Sequence, residues 1–112
     1  MQIYEKGNSH LFCGHWNGSP VEIGEGRLTA VPPSEVRHKH PYHEYYVILE
    51  GEAYLEANGH IIPMKAGMVI MVEPDEWHQI ISVSDAGARW VIIKERSEPN
   101  SKIVEGDENR CC

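Results

Sequence analysis

The stretch HKHPYHEYYVILEG, residues 38–51, carries three histidines and a glutamate within seven positions and then runs into apolar residues. Side chains on an extended strand alternate faces, so residues two or four apart project to the same side. His38, His40 and Glu44 meet that spacing if the chain stays extended through Pro41, whereas Lys39 and His43 fall on the other face. His78, in EPDEWHQII, is a fourth candidate, because it follows a tight-turn signature where the chain re-enters an apolar run. Three imidazole nitrogens and one carboxylate oxygen suit a first-row divalent ion such as iron, manganese, nickel or zinc. Calcium and magnesium prefer shells made wholly of oxygen. His43 is the alternative to Glu44 as third ligand, and strand parity disfavours it. His10, His15 and His60 have no partner at matching spacing and read as ordinary surface or strand residues.

The elements that must position these donors read as short strands. Turn signals recur at Glu50-Gly51, Asn58-Gly59, Lys65-Ala66-Gly67, Glu73-Pro74-Asp75 and Ser84-Asp85-Ala86-Gly87. That spacing belongs to a sandwich or barrel. Asn58-Gly59 is the sharpest, since a two-residue type I′ hairpin needs positive φ at both central positions. Between the turns lie EYYVIL, EAYLEA, HII, MVIMV, WHQIISV and RWVII, rich in β-branched and aromatic residues. Seven prolines punctuate the chain, and no apolar 3.6-residue period lasts long enough for a three-turn helix. In the N-terminal third, LFCGHW and RLTAV read as strands, and NGSPVEIGEG and PPSEV as loops. The expected class is all-β.

The length of 112 residues fits one domain, expected over residues 1–98, with residues 99–112 as a polar, flexible C-terminal tail. Cys13 reads as a small apolar strand residue, and Cys111 and Cys112 as mobile thiols outside the fold. A formal charge of −7 argues against a nucleic-acid or anionic-membrane surface, since both need clustered lysine and arginine. No apolar run approaches the ~20 residues needed to span a bilayer, and no leader pattern opens the chain, so a cytoplasmic setting is expected. In EYYVIL the odd positions Tyr45, Val47 and Leu49 are as apolar as the even ones, which predicts a covered outer face and motivates a homodimer.

His38, His40, Glu44 and Gly51 resemble the core of the first sequence motif of the cupin family, with Pro32 at the position of its opening glycine. Gly67 and EPDEWH, ending in His78, resemble the second motif more loosely, with Glu73 and Asp75 replacing its proline and turn glycine. The resemblance covers about residues 27–95 and implies a double-stranded β-helix, a jelly-roll barrel, with a metal held inside it by His38, His40, Glu44 and His78.

Such a donor set leaves open positions on an octahedral ion that would draw a chelating anion. Two histidines and a carboxylate with open positions are characteristic of non-haem Fe(II) oxygenases, and the present set adds one histidine. Zinc, nickel or manganese would instead polarise a carbonyl, giving an isomerase, lyase or cyclase. The expected function is a metal-dependent enzyme acting on a small anionic organic molecule, dioxygenase-like or Lewis-acid. The alternative is a barrel that binds or senses a small ligand without transforming it. Tyr46, Ile48 and Tyr54 are expected to shape the substrate pocket. Met68, Ile70 and Val72, or else Val69 and Met71, would supply an apolar wall. Arg37 and Arg89 are candidate anion partners, and Trp77 and Trp90 read as packing residues.

Overall fold

The computed structural model describes residues 1–7 and 10–106; Cys111 and Cys112 lie outside the described residues. Eight strands make one curled sheet: β1 (Leu11–Cys13), β2 (Glu22–Leu28), β3 (His38–Lys39), β4 (Glu44–Ala57), β5 (His60–Lys65), β6 (Val69–Val72), β7 (His78–Lys94) and β8 (Ile103–Val104). The regular helix among the described residues is a single 3-10 turn, His15–Asn17. None of the described helices is long and apolar enough to cross a membrane.

Two long antiparallel strands, β4 and β7, run through the whole structure. Their pairing extends from Glu44↔Lys94 to Ala57↔His78. At one end β4 and β7 are flanked by β6 and β2; at the other end they are flanked by β5 and β3. The sheet therefore closes on itself as a double-stranded β-helix, the all-β fold expected from the strand spacing. Ile48, Leu55, Met64 and His78 are the largest fully buried side chains, and the core around them includes Tyr46, Val72, Ile80 and Trp90.

The Asn58-Gly59 hairpin forms as expected, with φ of 50° and 82° at its two residues and Ala57↔His60 closing it. Turns also form at 65–67 and 73–75. Two other expected turns do not end a strand. Glu50-Gly51 lies inside β4 and Ser84–Gly87 inside β7. Gly51 takes φ 74°, and a Cβ there would sit 1.9 Å from the Gly87 carbonyl oxygen. The glycine thus permits a bulge and a close backbone approach, which bends a continuing strand.

The bulge also explains a change of face. Glu44, Tyr46 and Ile48 are buried before it, whereas Ala53, Leu55 and Ala57 are buried after it. Alternation has shifted by one, because an extra residue in a strand reverses the sides on which all later side chains emerge.

One expected loop and part of the expected tail form strands. β2 occupies the glycine-rich stretch read as a connection, because Gly26 lies opposite Trp90 and a Cβ there would sit 2.2 Å from the indole nitrogen. The segment after residue 98, expected as a polar tail, contributes pairing residues. Ile103 pairs with Lys39 and Val104 with His38, so part of the polar segment returns to the barrel as β8. Its anchors are polar: Ser101 Oγ lies 2.8 Å from the Tyr42 hydroxyl, and Glu105 forms an ion pair with Arg37.

Candidate metal centre

Strand pairing assembles the donors. His38 on β3 lies directly opposite His78 at the start of β7, and Glu44 opens β4 between β7 and β6. The chain bends at Pro41 and Tyr42 before β4 begins, so it does not stay extended as the sequence reading assumed. The two faces are nevertheless preserved across the bend. His38, His40, Glu44 and His78 are all buried, and one ligand atom from each lies within 4.8 Å of the others. His43 points outward to Glu95 and Glu73, so it is not part of this cluster.

The hydrogen bonds behind the cluster set its chemistry. His38 Nδ1 donates to the Val36 carbonyl at 2.8 Å, and His78 Nδ1 donates to the Glu76 carbonyl at 2.8 Å. A proton fixed on Nδ1 leaves the Nε2 lone pair available, as in the supporting hydrogen bonds of metal-binding histidines. His78 Nε2 lies 3.0 Å from Glu44 Oε1, a pair that a proton or a cation between them satisfies equally. Among the described residues, His40 Nδ1 is buried without a hydrogen-bond partner, and it lies 3.9 Å from Glu44 Oε2.

Metal–ligand bonds of ~2.1 Å place adjacent octahedral donors about 3 Å apart and opposite ones about 4 Å apart. The Glu44–His78 spacing matches an adjacent pair, and the whole set needs only a slight contraction to hold an ion. The residues therefore fit a mononuclear divalent metal in donor type, spacing and tautomer.

Electrostatics point the same way. Burial lowers His38 to a pKa of about 4, with the nearby His78 adding to the effect. Burial lowers His40 to about 3, against the opposing pull of Glu44. Both imidazoles are therefore neutral near pH 7, the form in which they are ligands. Burial would raise the Glu44 carboxyl, but the hydrogen bond from His78 and the charges of His40, His78 and Lys94 together hold it at about 2. For His78 burial opposes the charge, yet the hydrogen bond and attraction of Glu44 raise its pKa.

Three members of the cluster, His38, His40 and Glu44, lie in the wall of a cavity of about 660 Å³, whose apolar surface includes Tyr46, Ile80, Trp90 and Ile92. Of the expected pocket residues, Tyr46 lines this cavity. Burial, together with the Glu44 charge, pushes its phenol well above the usual range, so it remains a neutral proton holder. Ile48 is packed in the hydrophobic core at 1% exposure instead of on the cavity wall. It lies four residues along β4 from Glu44, ~13 Å at strand rise. Tyr54 is a correction of the same origin as the face change: it follows the Gly51 bulge, faces outward at 37% exposure and donates its hydroxyl to Glu52. Ile70 and Val72 point inward, whereas Val69 and Met71 face outward.

Arg37 and Arg89 do not serve the cavity as free cations. Arg37 is paired with Glu56 and Glu105, and Arg89 with Glu50. Trp77 packs beneath the Lys39 ammonium, 4.6 Å from its ring centre, and Trp90 packs over Gly26. Sequence reasoning missed Lys94, which lines the cavity and bonds Glu22 at 3.0 Å. Its signal was present in RWVIIK, where Trp90, Ile92 and Lys94 share one face by parity.

A curled all-β barrel with three histidines and a glutamate converging on its interior defines a jelly roll with a buried group that could hold a metal ion. Residues 27–94 match the family profile described as the cupin domain, and the chain belongs to that family. No match was found among the curated proteins. Among solved structures, the chain is similar to a cupin protein from Bacteroides fragilis, with 23% identity, 88% of this chain and 89% of that one covered, and a TM-score of 0.66. It is similar to the DMSP lyase DddQ from Ruegeria pomeroyi, with 19% identity, 80% of this chain and 45% of that one covered, and a TM-score of 0.67. A third similarity, to Streptomyces PAC13 with uridine, has 14% identity, covers 90% and 83% of the two chains, and has a TM-score of 0.66. At these identities the likeness speaks to the fold alone.

Proposed function

We propose that this cupin is a metal-dependent enzyme acting on a small anionic organic molecule, with His38, His40, Glu44 and His78 as the metal ligands. The observation that carries the reading is the buried four-donor cluster whose His38 and His78 tautomers are fixed by backbone carbonyls. Iron there would supply oxygen chemistry, and zinc, nickel or manganese would supply Lewis-acid chemistry of the isomerase or lyase kind. The chain's own residues do the rest. Three imidazoles, neutral when they ligate, would leave the ion positive charge for an anion. Tyr46 holds a phenolic proton at the cavity wall, and Trp90 with Ile92 excludes water from one side.

Metal analysis of the tag-free protein, paired with turnover of a panel of small keto and hydroxy acids, tests the reading. The expected result is about one equivalent of metal, with both metal and turnover lost in His38→Ala. Equal turnover by the metal-free protein would sink the mechanism. A ligand recovered unchanged from the loaded protein would favour the binding-module alternative. The same reading includes a homodimer, supported by the exposed apolar residues Leu49, Val69 and Met71 on the outer face of β4 and β6. A monomeric mass at micromolar concentration would remove it.

A further inference from the structure

Four cationic side chains line the cavity: Lys6, Arg27, Lys94 and Lys102. Three already face a carboxylate. Lys6 Nζ is 3.1 Å and Arg27 Nε 3.8 Å from Glu25, and Lys94 Nζ is 3.0 Å from Glu22. Lys102 has no ion-pair partner among the described residues.

Its placement follows from strand register. β8 pairs antiparallel with β3 through His38↔Val104 and Lys39↔Ile103. The next step along the two chains sets Lys102 opposite His40, and residues opposite one another emerge on the same face. The lysine is thus delivered to the face that carries His38 and His40. Anchors on both sides hold the segment there. Ser101 bonds the Tyr42 hydroxyl at 2.8 Å, Tyr42 in turn stacks on His40 with ring centres 5.2 Å apart, and Glu105 pairs with Arg37. A half-buried lysine that lines the cavity with His38 and His40, and has no acid of its own among the described residues, is an incomplete ion pair.

We infer that Lys102, carried in by β8, is the anion-recognition residue of the cavity, pairing with a carboxylate of a small organic acid whose other oxygens reach the four-donor cluster. This deepens the proposed function and rests on it for the identity of the site, while the lysine's own role is open to a separate measurement. It also assigns β8 a functional reason to dock despite burying little apolar surface.

The experiment is calorimetric titration of the full chain, zinc-loaded and metal-free, with malonate and with its uncharged diamide, malonamide, at low ionic strength. Lys102→Met is expected to weaken malonate binding about tenfold, the loss of one charge-assisted contact. Malonamide binding, zinc uptake and the thermal midpoint should stay as in the wild type. Lys102→Arg should retain most of the affinity, and added salt should narrow the gap between wild type and Lys102→Met. The inference is overturned if Lys102→Met binds malonate as tightly as the wild type, if it loses malonamide equally, or if the wild type binds no malonate at millimolar concentration. Absence of zinc uptake by the wild type would refute the metal reading instead, and the malonate difference would still be read on the metal-free protein.

Discussion

The chain builds two histidine–carboxylate clusters from one short stretch, on opposite sides of the same wall. Inside are His38, His40 and Glu44 with His78; outside is His43, held by Glu95 at 2.9 Å and Glu73 at 3.3 Å. The residue types are the same, and their chemistry is opposite. The inner His38 and His40 are held neutral by burial, whereas the hydrogen bond and charge of Glu95, with Glu73, raise the half-buried His43 toward its charged form. Composition supplies donors, but the direction of the side chain decides whether a histidine becomes a metal ligand or half of a solvated ion pair.

Removing one member from each cluster gives the largest contrast. His78→Ala is expected to abolish metal retention, a loss greater than the ~10–100-fold that follows removal of a mere supporting hydrogen bond. His43→Ala should keep the wild-type equivalent. Metal content after dialysis of the two variants against a weak chelator distinguishes them, and equal retention would place the ion elsewhere.

Much of this contrast was legible in the sequence, because strand parity separates 38, 40 and 44 from 43 without any knowledge of the partners. Asn58-Gly59 was legible for a similar reason: its conformational demand is local. What was not legible depends on chain that is distant in sequence. Gly51 and Gly87 carry the same signal whether they end a strand or bend a continuing one, and only the contact between β4 and β7 decides which. Tyr54 was expected to shape the pocket, but it follows the same bulge in the continuous strand β4 and faces outward. Gly26 resembles a loop residue until Trp90 is found lying over it. β8 was hidden because its anchors, Ser101 to Tyr42 and Glu105 to Arg37, are polar contacts that no apolar pattern announces. Lys102 was hidden with it.

The two clusters should also respond to acid with opposite signs in the metal-free protein. His38 and His40 have folded pKa values lowered to about 4 and about 3, below an unfolded value near 6.5. Their contribution is complete above pH 6.5 and is lost as pH falls toward those values, because the unfolded chain then binds the extra protons. By pH 5 each costs on the order of 2 kcal/mol. His78, whose pKa is raised, offsets part of this, and Glu44 stays ionised until about pH 2. Urea midpoints of the metal-free protein should therefore fall between pH 7.5 and pH 5. An unchanged or rising midpoint would mean that the inner imidazoles are not held neutral.

The smallest effect belongs to the outer cluster. The raised pKa of His43 means that its contribution is fully present below the unfolded value of 6.5 and disappears as pH rises through the folded value. His43→Ala should therefore lower the thermal midpoint slightly at pH 6 and leave it unchanged at pH 9. Because both acids are exposed, moderate salt should erase even the difference at pH 6. A large loss that persists at pH 9 and in salt would show that His43 supports the wall through packing, and the division of the stretch into a buried donor face and a solvated charged face would then be too simple.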